Sequence, residues 1–223
     1  ANSDLQFVHE IKGARINVGP LLSGTAMSAT TLYRQMFDAA IAENNASFLS
    51  NEEALIKLTG DKSIDVVVVV AGQPAKLLAD MKPEARSLVK LLKFDASKPE
   101  SQAALKTYFP AVVRATSYPN LLAEDVPAVA VKAFLVTYDY ALGSTVSHMR
   151  KLARSLCQNF PTLQASGHPK WREVDLTLPP LGRGWRYYPP MESEIRKCFV
   201  EQQRAAVPAK TCTQEERILG FCK

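Results

Sequence analysis

The clearest indication of a binding site in this sequence is a run of three small residues, Ser23, Gly24 and Thr25. They follow a short apolar segment that ends at Pro20, and they precede an amphipathic helix. The first N–H groups of a helix have no partner within it, and the helix dipole adds a partial positive charge there. Ser23 is a good N-cap, and Gly24 lets a ligand approach the backbone closely. The junction therefore predicts a site for a carboxylate or another small anion.

The residues present disfavour hydrolysis of a nucleoside triphosphate, and they disfavour other enzyme functions as well. Gly19 and Gly24 are spaced like the two glycines of a nucleotide-binding loop. The residues after Gly24 are Thr and Ala, where that loop needs Lys and then Ser or Thr. The three histidines have no metal-ligand spacing, and no Gly-x-Ser-x-Gly motif is present. We therefore predict no enzyme, no metal site and no cofactor.

The elements that must position the Ser23 turn alternate between strand and helix. Ser50 and Glu53 form a capping box that predicts a helix starting at Asn51. The β-branched run 64–71 is typical of a parallel strand covered on both faces. The alternation predicts an α/β domain with a mainly parallel sheet flanked by helices. Its other predicted parts are strands 46–49 and 88–94, helices 75–81 and 99–108, and an apolar face on the first helix formed by Ala29, Leu32, Tyr33, Met36, Phe37 and Ala40.

The later part of the chain changes character. Segments 112–116 and 129–136 are predicted to be extended, as a crossing between two lobes requires. A helix over 144–159 is predicted to end at Pro161, and a proline-rich and aromatic strap then leads to a polar helix over 192–204. The cysteines match no zinc or redox motif, and their even number favours disulfides in an oxidising compartment over four free thiols in a cytosolic protein. Three pairings are open among Cys157, Cys198, Cys212 and Cys222.

Composition excludes some partners. The chain has 223 residues and a formal net charge of +5, without the basic run and interleaved aromatics typical of a nucleic-acid surface. Its longest apolar run, 66–71, is far too short for stable insertion across a membrane. No signal peptide opens the sequence, which indicates that one was removed or that the chain is an excised piece.

An ordered set of motifs over about residues 10–160 resembles the TAXI family of solute-binding proteins, which serve tripartite TRAP transporters. The resemblance implies a periplasmic binding protein of type II, with two α/β lobes that close on a small carboxylated solute and deliver it to TRAP membrane permease subunits. The motifs are residues 12–20 with Ser23-Gly24-Thr25, residues 64–74, Tyr118-Pro119 and residues 125–133.

The resemblance also implies how the lobes are divided. Residues 10–115 would form the second lobe whole, whereas 116–223 would hold the crossover, part of the first lobe and a C-terminal strap and tail. The family builds most of its first lobe from a segment that precedes the motif at Lys12. This chain would therefore lack most of the N-terminal lobe.

The resemblance assigns ligand contacts to several positions. The Ser23 turn would donate to a carboxylate, Gln73 would line the opposite strand end, and Tyr118 would lie near the crossover. Arg114 is a cation at a strand end and could bind a carboxylate through two hydrogen bonds. For Gln73 and Tyr118 a purely local hydrogen-bonding role is the alternative, and for Arg114 it is a surface position.

Two other functions compete with solute capture for transport. One is a ligand-sensing regulatory module on the same fold, in which the solute shifts a conformational equilibrium of an attached partner. The other is a structural or assembly role without a ligand. The solute itself, the oligomeric state and the disulfide pairing do not follow from the sequence.

Overall fold

The computed structural model describes residues 3–174, 176–182 and 184–206 of the chain. They form two compact units, of which the first ends at Phe134 and the second begins at Leu135. The sequence-based division at residue 115 falls earlier in the chain. Each unit has an apolar core of its own.

The first unit contains a parallel sheet, as the sequence predicts, and this sheet has three strands. Its strands, in spatial order, are β2 (Ala46–Ser47), β1 (Ile16–Asn17) and β3 (Val66–Val67). The central strand β1 is almost fully buried, whereas β3 is only half-buried because it lies at the edge. The prediction that residues 64–71 are covered on both faces is therefore wrong.

Helices flank this sheet in the first unit. Those described are α1 (Gly24–Phe37), α2 (Asn51–Thr59), α3 (Lys76–Ala79) and α4 (Pro99–Ala104). Ser23 is the N-cap of α1, and the capping box of Ser50 with Glu53 starts α2, so both predicted helix starts are confirmed. Ala40 does not belong to the apolar face of α1, because the helix ends before it and Ala40 is exposed.

Residues 88–94 do not form the predicted strand. They make one isolated parallel bridge, between Lys93 and Phe7, and a 3₁₀ helix at Pro83–Ser87 precedes them. Part of this segment packs into the core instead: Phe94 is buried beside Met36 and Tyr108, and Leu92 packs against the core of the sheet, whereas Leu88 is exposed. An apolar segment can bury side chains in a core without lying beside another strand. It then gains apolar burial but does not form the backbone hydrogen bonds of a sheet.

An antiparallel pair completes the first unit. β4 (Phe109–Val113) and β5 (Val126–Ala130) run side by side, with Ala111 opposite Ala128. The predicted extended segments 112–116 and 129–136 overlap them in part. Segment 129–136 continues past β5 across the boundary between the two units.

The second unit is helical. Its described helices are α5 (Gly143–Gln158), α6 (Phe160–Ser166) and α7 (Pro189–Ala206), with a 3₁₀ turn at Pro169–Glu173. α5 packs on α7, and Ala153, Phe160 and Ile195 lie in their common core. Pro161 follows α5 as predicted, but it also stands in the first turn of α6, where proline is well tolerated.

A disulfide joins Cys157 of α5 to Cys198 of α7, with the two Cα atoms 6.2 Å apart. The structure thus establishes one disulfide that the sequence leaves undetermined. Cys212 and Cys222 lie outside the described residues. Within the described part of the chain, none of the helices has both the length and the apolarity to cross a bilayer.

The amino ends of β1 and β3 are tied by an ion pair, which makes the stability of the first unit depend on pH. Arg15 donates to both carboxylate oxygens of Asp65, at 2.9 and 2.6 Å, and to the Lys62 carbonyl at 2.8 Å. These bonds from Arg15 hold the pKa of Asp65 below its ordinary value of 3.8. A lowered pKa means that the pair stabilises the fold above the ordinary value and that this contribution is lost as the pH falls through the folded-state pKa.

We expect Asp65→Asn to cost about 1 kcal/mol near pH 7, a small value because both side chains are partly screened by solvent. The difference from the parent protein should shrink as the pH falls below the ordinary pKa of 3.8. Native-state hydrogen exchange of the Val66 and Val68 amides, which donate to the Arg15 and Asn17 carbonyls, measures it. A difference that stays constant over this pH range would contradict the assignment.

Candidate functional site

Two turns leave the parallel sheet at one edge. The chain exits β1 through Val18 and Gly19, and the N–H of Ser23 donates to the Pro20 carbonyl at 3.1 Å before α1 begins. It exits β3 toward Gln73 and then enters α3. Because β1 and β3 are parallel neighbours, both turns lie at the carboxyl edge, where ligands of α/β sheets bind.

The start of α1 keeps two amide donors available. The Ser23 hydroxyl oxygen accepts from the Ala26 N–H at 3.0 Å, so the protein itself caps that donor. Among the described residues, no acceptor is paired with the N–H of Gly24 or Thr25. Gly24 is exposed and Thr25 is half-buried, so an anion can reach both amides from solvent. The geometry suits two charge-assisted hydrogen bonds at the positive end of the helix dipole.

Gly19 allows the backbone conformation that the turn after β1 requires. It has a φ of +86°, and a Cβ there would lie 2.9 Å from Cγ2 of Thr25. An L side chain at this position therefore meets backbone strain and a close contact together. Gly24 differs, because nothing lies within 4 Å of the position of its Cβ and its φ is ordinary.

We expect Gly19→Ala to lower the free energy of unfolding of the first unit by about 2 kcal/mol and to displace Thr25. Gly24→Ala is the matched control and should leave stability within about 0.5 kcal/mol of the parent. Hydrogen exchange of the amides in β1 and β3 compares the two variants. Equal stability of both variants would show that the positive φ of Gly19 is not needed.

Gln73 and Tyr118, predicted as separate ligand contacts, are bonded to each other. The Tyr118 hydroxyl donates to Oε1 of Gln73, and the Ala75 N–H donates to the Tyr118 oxygen at 2.6 Å. Tyr118 is only 1% exposed, and this burial raises the pKa of its phenol. The buried phenol fixes the loop after β3, and Gln73 is the more accessible of the two side chains.

Arg114 directly follows β4 and lies beside the antiparallel pair of β4 and β5. Its guanidinium lies 2.8 Å from a carboxylate oxygen of Asp125, and its side chain is 67% exposed. The Ala115 N–H, and then the guanidinium, hold the pKa of Asp125 below its ordinary value. None of the hydrogen bonds or ion pairs of the described residues joins Arg114 to the Ser23 turn or to Gln73.

Asn17 was not predicted from the sequence as important to this edge. It is fully buried in β1; its Oδ1 accepts from the Leu49 N–H at 2.9 Å and from the Ser47 hydroxyl at 3.1 Å, and its Nδ2 donates to the Leu49 carbonyl at 3.2 Å. These bonds tie the segment after β2 to the strand that leads into the Ser23 turn. The sequence does place a polar side chain, Asn17, inside an apolar strand. A buried polar side chain normally has hydrogen-bond partners, so this position could have been predicted to make such bonds.

Comparison with known proteins places the chain in a family of binding proteins. The model of the NMT1-like family, a family of solute-binding domains that are typically extracytoplasmic, matches residues 1–177. Searches of curated proteins and of solved structures gave no significant match. The mixed α/β architecture with its parallel sheet is consistent with a domain of the periplasmic binding-protein type. Since the matched region covers most of the sequence, the chain belongs to the NMT1-like family, a family of binding proteins rather than enzymes.

Proposed function

We propose that this protein captures a small carboxylated solute, an amino acid or an organic acid, in the periplasm and delivers it to the permease subunits of a TRAP-type transporter. One observation carries the proposal. In this member of a solute-binding family, the N–H groups of Gly24 and Thr25 have no partner among the described residues, and they lie at the carboxyl edge of the parallel sheet. The likeness of its motifs to the TAXI family supplies the transporter class.

The proposed roles follow from the contacts of each side chain. The amides of Gly24 and Thr25 bind the carboxylate, and the Ser23 hydroxyl, whose oxygen already accepts from Ala26, adds a donor. The Gln73 amide faces the solute from the neighbouring strand end, while Tyr118 positions Gln73. Arg114 would bind a second carboxylate by exchanging it for Asp125.

A thermal-shift screen against glutamate, glutamine and dicarboxylates tests the proposal. A ligand present at a hundredfold its dissociation constant should stabilise the protein by about 2.7 kcal/mol. Gly24→Ala should weaken this response because it adds a methyl group beside the amides proposed to bind the carboxylate. It should not lower the midpoint of the unliganded protein, since nothing lies within 4 Å of the added Cβ. If no acid moves the midpoint, or if Gly24→Ala responds like the parent, the proposed capture of an acid by these amides is wrong.

The second candidate is a ligand-sensing regulatory module. Its support is the second unit, a compact helical body with its own disulfide that follows the sheet-containing unit in the chain. Neighbouring genes separate the two functions, since a TRAP permease gene favours transport and a signalling gene favours sensing. Both functions predict the same response to acids in the thermal-shift screen.

A further inference from the structure

The positive charge of the protein is concentrated in its second unit. The chain up to Phe134 holds 14 basic and 14 acidic side chains, whereas the chain from Leu135 holds 13 basic and eight acidic ones. The formal excess of +5 therefore lies in the second unit alone. Such asymmetry between two parts of a chain indicates an anionic partner for the basic part.

Helix α5 presents much of this charge. It contains three cations and no acidic residue. Arg154 is paired with Glu194 of α7 at 3.1 Å. Arg150 and Lys151 are exposed, and within the described part of the chain neither makes an ion pair. Lys151 projects from the side of the helix opposite the buried Ala153 and Cys157, as helical spacing requires.

An exposed apolar segment leads directly into this helix. Residues 135–142 form no regular secondary structure, and all of them are exposed. Leu135 is 81% exposed and Tyr138 is 78% exposed, and Val136 and Leu142 also lie mostly in solvent. Large apolar side chains concentrated in so short a stretch mark an interaction site rather than an ordinary surface.

The segment is anchored to the rest of its unit. Asp139 accepts from Arg186, and the Tyr188 hydroxyl donates to the Tyr140 carbonyl at 2.7 Å. These bonds hold the Asp139 side chain and the Tyr140 backbone, while the side chains of Leu135, Val136 and Tyr138 remain exposed. The native structure therefore presents apolar side chains in the segment that leads into the cationic helix α5.

We propose that residues 135–142 and the cationic surface of α5 form a peripheral docking surface for a bilayer that carries anionic phospholipid. Arg150 and Lys151 would attract lipid phosphates, while Leu135 and Tyr138 would enter the boundary between headgroups and acyl chains. An RNA or an acidic protein surface would match the cations but would leave the aliphatic side chains without an apolar environment. The disulfide agrees with an extracytoplasmic location, where a membrane surface is accessible.

Co-sedimentation with vesicles tests this proposal independently of solute capture. The full chain should bind vesicles of phosphatidylcholine and phosphatidylglycerol in equal amounts far better than pure phosphatidylcholine, and salt should weaken the binding. Arg150→Glu with Lys151→Glu should lower the affinity at least about thirtyfold. Leu135→Ser with Tyr138→Ser should lower it at least about tenfold, because the apolar contribution is removed.

The matched control is Lys82→Glu with Lys106→Glu, which changes the net charge equally at two exposed positions of the first unit. It should retain parental binding. The proposal is overturned if the protein does not sediment with the anionic vesicles, or if the control loses as much affinity as the α5 variant. It is also overturned if the apolar variant binds vesicles like the parent, or if a single-stranded RNA competes fully with the vesicles. Tryptophan fluorescence confirms that the two variants of the second unit are folded, and hydrogen exchange of the β1 and β3 amides does so for the control in the first unit. Lys151→Gln replaces the α5 variant if that variant does not fold.

Discussion

Removal of the Cys157–Cys198 disulfide is expected to lower the free energy of unfolding of the second unit by about 4 kcal/mol. The two cysteines are 41 residues apart in sequence, so the crosslink removes much conformational entropy from the unfolded chain. Cys157 is also almost fully buried in the core that α5 and α7 share, where alanine leaves a small cavity. This is the largest effect of a local change that we expect in this protein.

Urea unfolding followed by tryptophan fluorescence measures this effect selectively. The sequence contains two tryptophans, Trp171 and Trp185, and both belong to the second unit. Trp171 packs with its ring 6.3 Å from that of Phe160, so its emission should change when the core opens.

The variant is Cys157→Ala with Cys198→Ala, and Cys212→Ala with Cys222→Ala is its control. A reductant should destabilise the control about as strongly as it does the parent, because the Cys157–Cys198 bond is still present in the control. Equal unfolding midpoints of the parent and the Cys157→Ala, Cys198→Ala variant would contradict a stabilising crosslink.

Replacement of Asn17 by leucine is expected to cost the first unit about 3 kcal/mol. Leucine has nearly the same shape but makes none of the three bonds of the Asn17 side chain, so the N–H and C=O of Leu49 lose their partner. A buried donor or acceptor left unsatisfied costs more than an average hydrogen bond contributes. Hydrogen exchange of the β1 and β3 amides reports the change, because tryptophan fluorescence follows the other unit.

Ser47→Ala is the control for this substitution. It removes one bond to Oδ1 of Asn17 and leaves both bonds to Leu49, so a loss of only about 1 kcal/mol is expected. A cost of Asn17→Leu no greater than that of Ser47→Ala would mean that the Leu49 groups find other partners. The same result would argue that the carboxyl edge does not depend on Asn17.

The parts of the fold that could be predicted are those set by neighbouring residues. The Ser23 and Ser50 hydroxyls accept from N–H groups three positions ahead, and the Glu53 carboxylate accepts from the Ser50 N–H, so the sequence identifies both helix starts. Residues 88–94 show the opposite case. Their apolar character is equally compatible with a strand and with packing into a core, and only the fold decides which occurs.

The candidate site also has one part that neighbouring residues determine and another that only the fold determines. The Ser23 turn depends on local helix chemistry and was predictable, whereas the bond from Tyr118 to Gln73 joins side chains 45 positions apart. No sequence spacing predicts such a contact. The partner of Arg114 is closer in sequence, at Asp125, but pairing across the two strands β4 and β5 brings them together. The charge asymmetry was present in the sequence, but it becomes visible only when the boundary after Phe134 is known.

The exposed segment that follows this boundary also has a consequence for handling the protein. Chymotrypsin cleaves accessible chain after large apolar and aromatic residues, and residues 135–142 offer Leu135 and Tyr138 in a stretch without regular secondary structure. A brief digestion should therefore cut the polypeptide here first. On a denaturing gel the digest would show two fragments of unequal size, the larger with its new carboxyl terminus just beyond β5.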